Sequence, residues 1–388
     1  MMGSMSSIRL GLIGMGNIGR HHAGYLLAGK VARCQLTAVC STSPRKLESF
    51  KPMEIWDDGL KLIRSGTVDA VLVATPHYQH CELGIAALEA GVHLMVEKPI
   101  SAHAADGQRL IDAHQRNAGV VFGAMFQLRM EPRYQILRRL IRSGELGRLV
   151  RVNWINTDWY RTEVYYASGG WRATWCGEGG GVLLNQCLHN LDILFWLFGL
   201  PSSVRAHVTL GRDHAIEVED NVTAWLGYAD GSSGVFVAST GEAPGTNRLE
   251  ITGTQGRVVL EEGRIRFIRN EEDMADFSKR STSGFTKPAV WNVDIPFTDA
   301  EEPHAQLMRN FTGAILDGVP LIAPGEEGLG SLQLANSMLM SGLTETTVNL
   351  PLDAGAYETL LKELVRTSKQ EKKTVGPATT DFAQSFRR

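Results

Sequence analysis

The chain has 388 residues, 43% of them hydrophobic and 21% charged, with 39 basic against 42 acidic side chains and a formal net charge of −3. That length exceeds one ordinary core and fits two domains of a globular protein. The balanced charge excludes the basic footprint of a nucleic-acid binder. Five scattered cysteines with no C-x-x-C pair argue against a disulfide frame or a structural zinc site, so a reducing, cytoplasmic setting and no metal are expected.

The opening MMGSMSSIRL has no basic segment followed by a long apolar run, so no secretory signal is expected. From Ile8 to Ile13 the alternating apolar residues suit a buried strand, and Gly14, Gly16 and Gly19 then fall in the spacing G-x-G-x-x-G, with Met15, Asn17 and Ile18 between them. In a chain with 41 glycines the spacing alone says little; its place between a strand and a helix start makes it a dinucleotide fingerprint. Gly14 permits a tight turn, Gly16 lets a pyrophosphate approach the backbone, and Gly19 lets the helix lie close on the sheet.

Gln35 to Cys40 reads as the second strand. An NAD-preferring fold places a carboxylate near this strand's end, but here stand Ser41, Thr42, Ser43, Arg45 and Lys46. Hydroxyls and cations can receive a 2′-phosphate, so the cofactor is NAD or NADP with NADP favoured, unless Arg45 and Lys46 are simply a solvated turn after Pro44. Val68 to Ala74 is the next strand, ending in Thr75-Pro76-His77-Tyr78-Gln79-His80; a helix over Cys81 to Glu89 and a strand over Val92 to Val96 follow. Strand–helix–strand alternation predicts a parallel sheet with ligands at its carboxyl edge. Glu97-Lys98-Pro99 stands at that edge, and Lys98 is the cation best placed to meet a nicotinamide. Gly119 to Phe126 reads as the last strand of a nucleotide-binding domain spanning 1–128.

A helix over Pro132 to Arg142 keeps its arginines on the wet face. Beyond Leu149, strand-like runs at Val150–Asn156, Val204–Leu210, Val222–Tyr228, Ser233–Ser239, Arg248–Thr252, Arg257–Leu260 and Arg264–Ile268 are joined by turns such as Ala229-Asp230-Gly231. They predict a large, mostly antiparallel sheet in an α+β domain spanning 129–373, with helices at His304–Leu316, Gly328–Thr346 and Ala354–Lys373 and a polar tail over 374–388. The fold class is therefore α/β, a Rossmann domain followed by this second domain. The apolar run Val182 to Leu200 carries Asn185, Gln186, His189 and Asp192, too costly for lipid, so it is expected to be a buried helix with Asn185, His189 and Asp192 on one side. A lone buried histidine is more often a satisfied core residue; the run Gly179-Gly180-Gly181 just before it allows a ligand close approach.

Taken together, Gly14-Met15-Gly16-Asn17-Ile18-Gly19, Ala74-Thr75-Pro76 with His80, Glu97-Lys98-Pro99, Arg129 in FQLRMEP, Ser143-Gly144-Glu145-Leu146-Gly147, and Gly179 to Gly181 through His189 and Asp192 resemble the Gfo/Idh/MocA family of glucose-fructose oxidoreductases, inositol 2-dehydrogenases and their relatives. The likeness spans about residues 8 to 350. It implies an NAD(P)-dependent dehydrogenase moving a hydride between the nicotinamide and a secondary alcohol of a sugar, cyclitol or glycoside. Gly14 to Gly19, Ser41, Arg45, Ala74, Thr75, Pro76, His80, Glu97 and Lys98 would hold the cofactor. His189 would take the hydroxyl proton and Lys98 would polarise the oxygen; a family variant gives the proton to the lysine. The family usually carries an aspartate four residues before the histidine, where this chain has Asn185, expected to position His189. Arg129, Tyr160, Arg161, Trp171, Arg172, Trp175 and His304 are candidates to line a polyol pocket, with Asn185 and His189. The resemblance also implies a homodimer or homotetramer assembled through the second sheet. Two rivals stand beside this reading: glycoside cleavage or elimination through a transient keto sugar, and a non-catalytic dinucleotide-sensing regulator.

Overall fold

The computed structural model describes residues 6–43, 45, 47–50 and 53–368. The expected tail at 374–388 and Lys46 lie outside them. Six strands, β1 (Ile8–Ile13), β2 (Cys34–Cys40), β3 (Glu54–Trp56), β4 (Ala70–Val73), β5 (His93–Val96) and β6 (Phe122–Ala124), form one sheet in the order β3-β2-β1-β4-β5-β6. Every pairing is parallel. The helices α1 (Asn17–Leu27), α2 (Gly59–Arg64), α3 (Tyr78–Glu89) and α4 (Ala104–Arg116) supply the crossovers. Strand β4 is apolar and buried throughout, and β5 is so after His93, as a sheet covered on both faces requires. Strand order reverses beside β1, so the crevice where a ligand can enter opens between the carboxyl ends of β1 and β4.

After α5 (Pro132–Arg142) come β7 (Leu149–Asn156), α6 (Glu163–Ala167) and α7 (Leu188–Phe198). Six strands follow, β8 (Ser203–Leu210), β9 (Glu219–Gly227) and β10 (Ser233–Ser239) on one side of β7, and β11 (Asn247–Gly253), β12 (Gly256–Glu261) and β13 (Arg264–Asn270) on the other. Beyond α8 (Met274–Arg280) and β14 (Val290–Ile295), helix α9 (Pro303–Asp317) precedes α10 (Gly328–Thr344), β15 (Val348–Asn349) and α11 (Ala354–Thr367). The second sheet runs β14-β13-β12-β11-β7-β10-β9-β8-β15, antiparallel but for the β7–β10 pair. Period-two patterning splits its faces: Trp154, Phe236, Ala224, Leu226, Leu249 and Ile251 are buried, while Ile155 and Trp225 stand 39% and 47% exposed on the other side. Helices α7 and α10, buried over most of their length, lie beside the inner face.

Strands β3, β14 and β15 are additions to the elements expected from the sequence; β14 extends the second sheet by pairing with β13 in antiparallel register. The helix expected from Val182 begins only at Leu188. The carboxylate of Glu219 accepts the amides of Gly181 and Leu183 at 2.8 and 3.0 Å, and the amide of Cys187 reaches back to Val182 O at 2.7 Å, so 182–187 coil as turns. A side chain at 181 would meet Glu219 O at 2.0 Å, which is why glycine stands there.

Late in the chain the backbone returns to the first sheet: the Ala124 amide donates to Ala323 O at 3.1 Å, and His304 of α9 packs against His21 and His22 with ring centroids 4.8 and 5.7 Å away. Arg129, just after β6, pins this closure. Its guanidinium, fully buried, binds both carboxylate oxygens of Asp192 on α7 at 2.8 and 2.6 Å, the carbonyl of Ile322 at 3.1 Å, and the carboxylate of Glu327. Truncating one partner strands a buried charge, which costs about 3–5 kcal/mol. Arg129→Ala is therefore expected to lower the denaturant midpoint strongly, and Arg129→Met with Asp192→Leu to recover much of the loss; equal midpoints for Arg129→Ala and the parent in chemical denaturation would contradict this.

Candidate active site

The dinucleotide turn is shaped by contacts no side chain could share. Gly14, with φ +102°, would place a Cβ 2.5 Å from Ala74 O, and a Cβ on Gly19 would meet Gly14 O at 1.9 Å. Gly16 is different: a Cβ there meets nothing within 4 Å, so the backbone faces open space at the start of α1, whose amides receive no side-chain cap. That is the opening a pyrophosphate needs, on the positive end of a helix. Across the crevice, Thr75 Oγ1 is buried without a hydrogen-bond partner among the described residues. A cradle that glycine leaves empty and an orphaned hydroxyl fit a dinucleotide. Met15 is buried beneath the turn, Asn17 is exposed and Ile18 half-buried. At the end of β2, Ser41 Oγ accepts the amide of Ser43 at 3.2 Å, while Arg45 is exposed.

Lys98 leaves the carboxyl end of β5 one strand further along. Glu97, 6% exposed, anchors the turn: one carboxylate oxygen lies 2.6 Å from His22 Nε2 and the other accepts the Lys98 amide at 3.1 Å. His22 Nδ1 in turn lies 2.6 Å from the Tyr25 hydroxyl. His80, expected at the cofactor, has both ring nitrogens occupied, by Pro99 O and Thr75 O at 2.7 Å each, so it ties two edge loops together. His77, on the same loop, donates from Nδ1 to Glu178 O at 3.0 Å, its pKa pushed down to about 3 chiefly by burial. The Tyr78 hydroxyl donates to Trp175 O at 2.7 Å. These two bonds bring the second domain against the edge of the first.

The Lys98 ammonium itself crosses that junction and donates to the main-chain carbonyl of Asn185 at 2.5 Å. Burial pushes its pKa down; Glu97 and Glu178 resist the fall and Arg172 adds to it. Because 182–187 are turns, the Asn185 side chain donates to Glu178, so the expectation that it lies on one helix face to position His189 is corrected. Gln127, beyond β6 and 3% exposed, has its amide nitrogen 3.3 Å from His189 Nε2; as donor it leaves Nε2 the acceptor. His189 occupies the first turn of α7 and is 8% exposed.

Arg129 is corrected from pocket lining to the buried ion pair described above. His304 packs on His21 and His22, and Trp175 is buried, its amide donating to Glu217 at 2.8 Å. Arg172 lies over Tyr165 and Trp171, 4.4 and 4.8 Å from their centroids, and donates to the Tyr165 hydroxyl at 2.6 Å. Arg161 covers Trp159 and Tyr165, and Tyr160 and Trp171 are 48% and 36% exposed. Glu178 and Gln127 were not singled out as site residues. Each had a signal: a carboxylate directly before a glycine run, and an amide directly after an all-apolar strand.

Residues 8–124 match the family model described as the oxidoreductase family, NAD-binding Rossmann fold, and residues 134–259 that of the GFO/IDH/MocA C-terminal domain. The inositol 2-dehydrogenase of Rhizobium meliloti is 26% identical over 345 residues, covering 86% of this chain and 97% of its own. The levoglucosan dehydrogenase of Pseudarthrobacter phenanthrenivorans is 23% identical over 398 residues, covering 89% and 99%. Among solved structures, the WlbA dehydrogenase of Bordetella pertussis, in complex with NADH and UDP-GlcNAcA, superposes with a TM-score of 0.75 at 28% identity, covering 89% of this chain and all of that one. With a parallel sheet opening on a dinucleotide turn, and both halves matched in order, the chain belongs to the GFO/IDH/MocA family of NAD(P)-dependent oxidoreductases.

Proposed function

We propose that this oxidoreductase oxidises, or in reverse forms, a secondary alcohol of a sugar, cyclitol or glycoside, with Lys98 and His189 at the reacting carbon. The observation carrying this reading is the meeting of Lys98 and the turn preceding His189 at the carboxyl edge of the nucleotide-binding sheet, through the bond to Asn185 O. Relatives named for inositol and levoglucosan support the substrate class. Gly14 to Gly19, Ala74, Thr75 and Pro76 would hold the cofactor, with Ser41 and Arg45 toward its adenosine end. Once bound there, a nicotinamide dinucleotide supplies the hydride acceptor.

The remaining work belongs to protein side chains. Loss of hydride leaves an oxygen that must also lose a proton, and Nε2 of His189 is the acceptor for it. The substrate hydroxyl replaces the amide of Gln127 at that nitrogen. The Lys98 ammonium, beside the same oxygen, stabilises the negative charge that develops as the proton leaves. Asn185 contributes its carbonyl to Lys98, and Trp171, Tyr160 and Arg172 offer aromatic and polar surface to a polyol. NADP is favoured over NAD because Ser41 and Arg45, rather than a carboxylate, follow β2. Five cysteines, none in a disulfide among the described residues, suit a reducing cytoplasm; no helix among the described residues is long and apolar enough to cross a membrane. The outer face of the second sheet, where Trp225 stands opposite Val235 and Ile155 opposite Val237, is the surface through which we expect two or four copies to associate.

Three outcomes test this reading. In Lys98→Ala, turnover of myo-inositol, glucose or levoglucosan, followed as reduced nicotinamide with each oxidised cofactor, is expected to fall by at least about a hundredfold while dinucleotide affinity stays nearly unchanged; retained turnover removes the lysine from the chemistry. Gly16→Ala is expected to fold normally yet bind NADP about tenfold or more weakly by fluorescence titration, a loss of roughly 1.4 kcal/mol, and unaltered binding would empty the cradle of its meaning. Sedimentation of Trp225→Glu is expected to show a smaller species than the parent; identical masses would place the assembly surface elsewhere.

A further inference from the structure

The Lys98 ammonium has an unusual complement of partners. Among the described residues its one close acceptor is a neutral carbonyl, although a cation withdrawn from water is stable only where negative charge compensates it. Glu97 also favours the ammonium by its charge, while its two oxygens are directed to His22 and to the Lys98 main chain rather than to the ammonium itself. The other carboxylate acting on Lys98 is Glu178, 1% exposed and contributed by the second domain. It meets Lys98 through Asn185, whose side-chain amide donates to Glu178 while its carbonyl receives the ammonium. The second oxygen of Glu178 accepts the amide of Ala173, a residue held at φ +53°, where a side chain is rarely found. Its main-chain carbonyl accepts a hydrogen bond from His77 Nδ1. The buried carboxylate of Glu178 thus gathers the loop at 173 and the turn at 185, and its main chain holds the edge loop at 77.

We propose that Glu178 is a positioning residue of this site: by holding the Asn185 side chain it sets the main-chain carbonyl that receives the Lys98 ammonium, and it supplies negative charge that this neutral acceptor lacks. The proposal rests on the reading of Lys98 as a site residue, but its test does not require turnover. The groups that act on Lys98 or feel its charge come from every side: Glu97 from the turn after β5, Glu178, Arg172 and Cys187 from the second domain, His77 from the edge loop, His80 from the first turn of α3, and His304 from α9. Glu178 in turn feels Arg172, and its charge reaches Glu219 and Tyr166. Removing its charge takes away a group that favours the ammonium, so Lys98 must lose its proton at lower pH.

The experiment is competitive acetylation of the full chain with trace acetic anhydride from pH 6 to 11, with the Lys98 peptide followed by mass spectrometry. Only the free amine reacts, so the midpoint reads the lysine directly. Glu178→Gln is expected to shift that midpoint down by about one pH unit, a tenfold rise in reactivity on the acidic side. In Glu178→Gln with Asn185→Asp the charge returns one hydrogen bond away, and the midpoint is expected to move back toward the parent value. If Glu178→Gln does not fold, the double variant, which keeps one buried carboxylate, must fold and carry the parental midpoint. An unmoved midpoint in folded Glu178→Gln, or a double variant that folds without the parental midpoint or fails to fold, overturns the proposal. Turnover surviving Lys98→Ala would discard the catalytic reading alone and leave the acetylation result standing.

Discussion

A lysine drawn into protein must find electron density wherever the fold offers it, and in this chain it is found across the junction of two domains. The bond from Lys98 to the carbonyl of Asn185 joins the edge of a parallel sheet to a turn that belongs to an antiparallel one. Neither domain alone could satisfy it. The surrounding bonds serve the same closure: Glu97 holds the lysine's own main chain, His80 ties the proline loop to the threonine loop, and His77 and Tyr78 dock on carbonyls of the second domain.

The turn that receives the ammonium is itself imposed from outside. Residues 182–187 have the composition of a helix, and the carboxylate of Glu219, on β9, captures two of their amides and delays the helix to Leu188. Burial raises the pKa of that carboxyl to about 7 even as the amides resist the rise. The delay turns the Asn185 carbonyl toward Lys98 while leaving His189 in the first helical turn. One turn later Asp192 is clamped by Arg129, so the helix carrying the imidazole is fixed one turn further along by a buried ion pair.

Charge explains the remaining assignments. Arginine, which cannot shed its proton, takes the fully buried structural place at 129, whereas lysine, whose proton affinity answers to its surroundings, stands at the site. Arg172 is spread over two aromatic faces, which offset part of its desolvation, and lies beside Glu178. The site therefore holds two cations and two carboxylates in alternation rather than a field of one sign.

Local chemistry was written in the sequence by itself. The glycine spacing, the apolar strands, the lysine at a strand's end and the period-two strands of the second sheet all follow from backbone sterics and from which faces are wet, and neighbours in the chain report both. Tertiary structure alone decided which polar groups meet. Asn185 turned to Glu178 and Gln127 reached His189 because β9 and β6 bring those groups there; Arg129 left the pocket because Asp192 and Glu327, far along the chain, arrive at its fork. A hydrogen bond depends on distance in space, and residues separated by 60 or 200 positions carry no local mark of the partner that folding will bring.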